Sequence, residues 1–198
     1  LLTNYATGTN GSFNMTVPTD TANNGTTRGP HTLVISVVNG SSPFYLTASA
    51  QAPIQVMGVS LLENLQPLNA VVINRGNDIN MSAKLVEASD MFTPLTNYEV
   101  ALQFHETWLS STITDGEGFA NFSYTVPYDH PLGLIVVQMM FNGSTDLLAT
   151  NANLTSITVR SLTFLVVDNI AANPVAGDSF NISCLLYTSD AADEGHWV

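Results

Sequence analysis

Nine asparagines in this chain stand two residues before a serine or threonine: Asn10, Asn14, Asn24, Asn39, Asn80, Asn121, Asn142, Asn153 and Asn181. In a secreted chain each such triplet is an acceptor for an N-linked glycan. Asn, Ser and Thr are abundant here, so chance also generates the triplet. Two features weigh against chance alone. Asn80, Asn121 and Asn181 fall on the outward phase of alternating apolar runs, and the sequons of Asn39 and Asn142 recur at one position of an internal repeat.

Other polar groups point to less. Asp115-Gly116-Glu117, joined by Asp78 or Asp129, could offer oxygens to calcium. The same residues are ordinary turn formers, and no loop of the EF-hand pattern is present. His105-Glu106 lacks the second histidine of a metalloprotease helix. His31 and His130 precede strand-like runs beside prolines, which suits a turn better than a ligand set. Trp108 and Tyr98 could stack on a sugar or form a buried aromatic pair. No serine sits in a nucleophile elbow, and no glycine loop opens a helix that could hold phosphate. The expectation is therefore no catalytic, cofactor or metal site.

Composition narrows the partners. Of 198 residues, 45% are apolar and 10% charged, enough for a packed core and unlike a disordered chain. Four basic residues, Arg28, Arg75, Lys84 and Arg160, face sixteen acids, and the net charge is -12. That balance excludes nucleic acid, whose phosphates require clustered cations. It also excludes docking to anionic lipid through a basic patch. No apolar run approaches the roughly 20 residues of a membrane helix. The chain starts at Leu1, so the lack of a signal peptide carries no information.

The end of the chain stands apart. Cys184-Leu185-Leu186-Tyr187-Thr188-Ser189-Asp190-Ala191-Ala192-Asp193-Glu194 resembles the in-frame translation of a transposon-based sequencing adapter, and residues 195–198 fit its continuation. Residues 184–198 are accordingly expected to be a non-native tail. With them would go three acids and the single cysteine, leaving no disulfide and no thiolate metal site.

The elements that hold these residues come from self-similarity. Gly11-Ser12-Phe13-Asn14-Met15-Thr16-Val17-Pro18 matches Gly118-Phe119-Ala120-Asn121-Phe122-Ser123-Tyr124-Thr125-Val126-Pro127. Pro30-His31-Thr32-Leu33-Val34-Ile35 matches Pro131-Leu132-Gly133-Leu134-Ile135-Val136, and Ile54 and Val56 match Ile157 and Val159. Further on, Gly76-Asn77-Asp78-Ile79-Asn80-Met81-Ser82 matches Gly177-Asp178-Ser179-Phe180-Asn181-Ile182-Ser183. The order and the spacing of about 100 residues are kept, the size of one immunoglobulin-like sandwich. The division expected is 1–57, the C-terminal part of one repeat; 58–160, a complete repeat; and 161–183, the first strands of a third. Half a sandwich leaves an apolar face wet, so the flanking pieces are expected to pack poorly alone.

Within 58–160, Ile79, Met81, Ala83 and Leu85 alternate with polar residues. So do Val100, Leu102 and Phe104; Ala120, Phe122, Tyr124 and Val126; and Ile135, Val137, Met139 and Phe141. Period two marks strands buried on one face. Turn residues separate the runs, and no stretch has a capped helical period. The fold class predicted is all-β, tandem immunoglobulin-like sandwiches with the first and last incomplete.

Thr114-Asp115-Gly116-Glu117-Gly118-Phe119, the following Thr125-Val126-Pro127, and Asp129-His130-Pro131-Leu132-Gly133 resemble the immunoglobulin-like repeats of large prokaryotic, especially archaeal, surface proteins. The resemblance covers 1–183. It implies an extracellular or cell-surface location, neighbouring repeats of a parent chain as partners, and no catalytic residues. The paired cysteines and core tryptophan of antibody domains are missing. Three functions remain: structural spacer repeats, an adhesive module for a glycan or protein ligand, or accessory domains of a secreted hydrolase.

Overall fold

The computed structural model describes residues 12–17, 27–37, 48–104, 107–170, 175–177 and 179–188. Every regular element among them is a strand. The first strands among the described residues, β1 (Gly29–Val37) and β2 (Ala48–Val56), form a long hairpin paired from Gly29 opposite Val56 to Val37 opposite Ala48.

A two-layer sandwich follows. Its first layer holds β3 (Ser60–Gln66), β5 (Asp78–Glu87) and β9 (Phe119–Thr125), with β5 in the middle and the short β6 (Thr93–Pro94) against the end of β5. The second layer takes β4 (Val71–Asn74), β7 (Glu99–Phe104), β8 (Thr107–Ile113), β10 (Gly133–Ile135), β11 (Val137–Phe141), β12 (Thr150–Asn153) and β13 (Ile157–Arg160). Its sheets run β8–β7–β11–β12 and β4–β13–β10. They are joined because β10 continues into β11 past Val136, and Leu154 N–H donates to Val137 O at 2.8 Å.

After pairing with β5 in one layer, the chain crosses over so that β4 runs parallel to β13 in the other. A first strand shared between both sheets closes an edge of the sandwich that would otherwise be left open. This arrangement, with a first layer of three main strands and Greek-key returns, is that of an immunoglobulin-like sandwich.

Alternation decides what the layers bury. Along β5 the sequence Ile79, Met81, Ala83, Leu85 faces inward, and Ala83 and Leu85 are fully buried. Val100, Leu102 and Phe104 of β7 and Val137, Met139 and Phe141 of β11 meet them from the other layer. One cluster runs from Leu62 to Val159 without a break. Each of these large side chains contributes about 1.5–3 kcal/mol by leaving water. Val136, between β10 and β11, points out, so the inward phase passes from Ile135 to Val137 unbroken.

The last two strands, β14 (Thr163–Ile170) and β15 (Ile182–Thr188), form a second hairpin. Its pairing of Thr163 with Thr188 and Asn169 with Ser183 reproduces that of Ser60 with Glu87 and Gln66 with Ser82 in the β3–β5 pair, and both pairs carry an irregularity just before the second of these matches. Phe164, Leu165, Val167 and Leu186 are exposed by half or more, as befits a hairpin outside the core. Cys184 to Thr188 pair with β14 because their apolar and β-prone side chains suit a strand whatever their origin.

The β1–β2 hairpin corrects one detail of the repeat. Gly29 opposite Val56 stands where Gly133 stands opposite Val159, and both glycines have φ near +114° and +113°. The counterpart of Gly133 is thus Gly29 and not Thr32, as the proline-based match expected. A positive φ at the start of the strand favours glycine, and that requirement outweighs the resemblance of flanking side chains.

Candidate functional site

Six of the nine sequon asparagines lie within the described residues: Asn14, Asn80, Asn121, Asn142, Asn153 and Asn181, and all six are exposed. Asn10, Asn24 and Asn39 fall outside them. Antiparallel pairing of β5 with β9 brings two sequons together. Asn80 lies opposite Ser123, and Ser82 lies opposite Asn121. Met81 and Phe122 between them turn inward at 2% and 7% exposure. The four polar side chains therefore share the outer face, where with Gln66 they border a shallow depression.

The other sequons are held differently. Asn142 leaves β11 into a turn that Gly143 makes with φ +83°, where a Cβ would come within 2.8 Å of Leu147 O. Ser144 Oγ, the hydroxyl of that sequon, donates to Asp146 Oδ1 at 2.7 Å. Asn153 Oδ1 accepts from Gln138 Nε2 across the strand pair at 3.0 Å.

Two of the acidic residues considered for calcium, Asp115 and Asp78, have hydrogen-bond partners within the fold. Asp115 Oδ1 accepts the N–H groups of Glu117 and Phe119, each at 2.9 Å, tying the turn into β9. Asp78 Oδ1 accepts from Thr125 Oγ1. Buried Thr114 accepts from Tyr98 N–H at 3.0 Å and donates to Leu95 O at 2.7 Å, pinning the same corner from below. Among the described residues no three His, Cys, Asp or Glu side chains gather into a metal-binding group.

Tyr98, His130 and His31 make contacts within the fold. Tyr98 packs edge-on against Phe141 at 5.6 Å between centroids. Trp108 lies in β8, and its side chain is outside the described part, as are His105 and Glu106. His130 sits in the turn after β9, edge-on to Phe104 at 5.3 Å, while its carbonyl accepts Arg75 Nε at 2.6 Å. His31 Nε2 lies 2.6 Å from Thr27 O. Tyr124 packs its ring 4.6 Å from Phe104, and its hydroxyl is pushed up from the ordinary value by burial first and by nearby Asp129 second.

Sequence reasoning missed the joint between the first hairpin and the sandwich. Gly58 forms a parallel bridge with Leu147: its N–H donates to Asp146 O at 2.8 Å, and its carbonyl accepts Leu148 N–H at 2.9 Å. Arg28, at the base of β1, reaches Glu87 Oε2 at 2.8 Å and Asp146 Oδ2 at 3.2 Å. Gln55 Nε2 adds a bond to Thr145 O at 3.2 Å. A Cβ on Gly58 would stand 2.5 Å from Glu87 Oε1 and 3.0 Å from Leu147 Cδ2, so any larger residue must push these two side-chain ends aside. The one available signal was scarcity: Arg28 is one of four cations in a chain of sixteen acids.

Together, the two layers define an immunoglobulin-like sandwich with exposed amides and hydroxyls on its outer face. No protein-family model matches the sequence, and no curated protein does. Among solved structures, the chain is similar to a chimeric titin Z1Z2–Z1Z2 tandem at 15% identity and a TM-score of 0.36, covering 65% of this chain and 64% of that one. It is also similar to surface layer protein SbsC, domains 1–6, at 8% identity and a TM-score of 0.29, covering 80% of this chain and 25% of that one. The chain thus spans less than two thirds of either.

Proposed function

We propose that this chain is a run of non-catalytic structural repeats from a secreted or cell-surface protein, serving as a stiff and glycosylated spacer. The observation that carries the reading is the joint at Gly58. Residues 1–57 reach the sandwich there through Arg28, a cation shared between Glu87 and Asp146, and through the Gln55 amide on Thr145 O, while Gly58 itself is held to the backbone of Asp146 and Leu148. A spacer requires stable units and a fixed angle between them, and the contacts at this joint support the second. Resemblance of the turn motifs to prokaryotic, especially archaeal, surface repeats supports the location.

In this reading residues 1–57 are the end of one repeat, 58–160 a complete one and 161–183 the start of a third, with the adapter-like 184–198 foreign to the parent. The continuous core from Leu62 to Val159 supports a unit at 58–160. Partners are the neighbouring repeats, and the nine sequon asparagines are the modification sites. An adhesive role for a glycan or protein ligand, or an accessory role beside a hydrolase, is the competing reading. Small-angle scattering of the full chain tests the spacer: a single extended distance distribution that loosens in Arg28→Ala is expected. A profile already flexible in the wild type, or a ligand retained on a glycan array, would count against it.

A further inference from the structure

The crossing of two sequons on one strand pair has a stoichiometric consequence. Each acceptor asparagine faces the hydroxyl residue of the other sequon: Asn80 faces Ser123, and Asn121 faces Ser82. The two asparagines are therefore diagonal neighbours on one face, roughly 7–8 Å apart along the sheet surface. Both are exposed, and both border the same shallow depression with Gln66, a surface carrying amides and hydroxyls and no charged side chain among its lining residues.

We infer that this crossing is a single-glycan site: resting on the proposed N-glycosylation, the folded chain carries a glycan on Asn80 or on Asn121, but not on both. The reason is space. A glycan on either amide covers the ground occupied by the hydroxyl and asparagine of the opposing sequon. Once β5 and β9 are paired, the second acceptor is hidden from a transferase. Should both be modified before folding, the strands must close with two bulky glycans abreast, and that population is disfavoured in the folded pool.

The same half-signatures recur at both ends of the chain. Asn14-Met15-Thr16 lies in the segment whose sequence matches β9. Asn181-Ile182-Ser183 leads into β15, and Ser183 opposite Asn169 holds the register of Ser82 opposite Gln66. One crossing per repeat would place one glycan per unit along the first layer of a tandem array.

The test uses the full chain secreted from an N-glycosylating host, with Asn142→Gln and Asn153→Gln. Cleavage at arginine releases residues 76–160, whose remaining sequons are those of Asn80 and Asn121, and intact mass counts the glycans. One glycan per peptide is expected, and Asn80→Gln should move it wholly to Asn121. A peptide with two glycans from folded, secreted protein overturns the inference, as does an Asn80→Gln chain left bare at Asn121. Glycans elsewhere on the wild type with neither crossing site occupied would also sink it, while sparing the general reading. A chain without any glycan would overturn both.

Discussion

Arg28 Nη1 lies 2.8 Å from Glu87 Oε2, joining the base of the first hairpin to the last residue of the central strand of the sandwich. Glu87 is nearly buried, with a side chain 9% exposed, and also accepts Ser89 Oγ at 3.2 Å. Removing the cation leaves a carboxylate with little water around it, which is costlier than losing an exposed pair. Arg28→Ala is expected to destabilise the chain by about 1–2 kcal/mol, and Glu87→Gln in that background should recover part of the loss. Urea unfolding of the single and double variants checks both. An Arg28→Ala midpoint equal to wild type would show that the joint adds nothing.

At Gly118 the expectation concerns backbone geometry. Its φ is +85°, and an added Cβ would meet Leu85 O, a backbone atom, at 2.8 Å. Neither the turn nor β5 can yield cheaply. Gly118→Ala is expected to cost about 1–3 kcal/mol, read as a lowered thermal midpoint. Gly116, with open space around its Cβ and no positive φ, serves as the control: alanine there should be near neutral.

Asp115 organises the turn through two backbone N–H groups. Asp115→Ala should therefore lose about 1–2 kcal/mol, while Asp115→Asn keeps much of the stability because its amide oxygen can accept the same bonds. Millimolar calcium should leave the thermal midpoint unchanged. A calcium-dependent rise that disappears in Asp115→Asn would mean the carboxylate binds metal after all.

The core prediction is the largest. Met139 is fully buried at the centre of the second layer and belongs to the single cluster that fills the sandwich. Met139→Ala removes its packing and leaves a cavity, for about 2–5 kcal/mol. By contrast, Leu186→Ala, on the exposed face of the last hairpin, should change the midpoint little. Equal effects would mean that the hairpin is covered in solution.

Tyr124 gives a pH dependence with a defined sign. Burial and Asp129 raise its hydroxyl pKa above the unfolded value of about 10. The folded state then holds the proton more tightly than the unfolded state does. Its contribution is full below pH 10 and is lost as pH rises through the folded value. Ultraviolet titration should show a late-ionising step that Tyr124→Phe removes. Ionisation at the ordinary pH would contradict the packing seen against Phe104.

How much of this was legible beforehand varies by element. The inward sets of β5, β7, β9 and β11 could be read directly, because a pleated strand alternates its faces and Ile, Val, Met and Phe fall on every second position. Turns were legible at Asp115-Gly116-Glu117-Gly118 for the same local reason. The outward phase of Asn80 and Asn121 followed from that alternation as well. The equivalence of Gly29 and Gly133 was misjudged because neighbouring prolines look alike, whereas the register depends on a partner strand distant in sequence.

What the sequence determined alone is therefore local: strand periodicity, turn chemistry, the all-β class and the supply of acceptor asparagines. Only the tertiary structure decided which strands became neighbours. The meeting of Asn80 with Ser123, of Gly58 with Leu147 and of Arg28 with Glu87 depends on long loops closing, and no pattern within a strand encodes its partner. Cross-strand register comes from the packing of two whole layers, so these pairs became visible only when the sandwich closed.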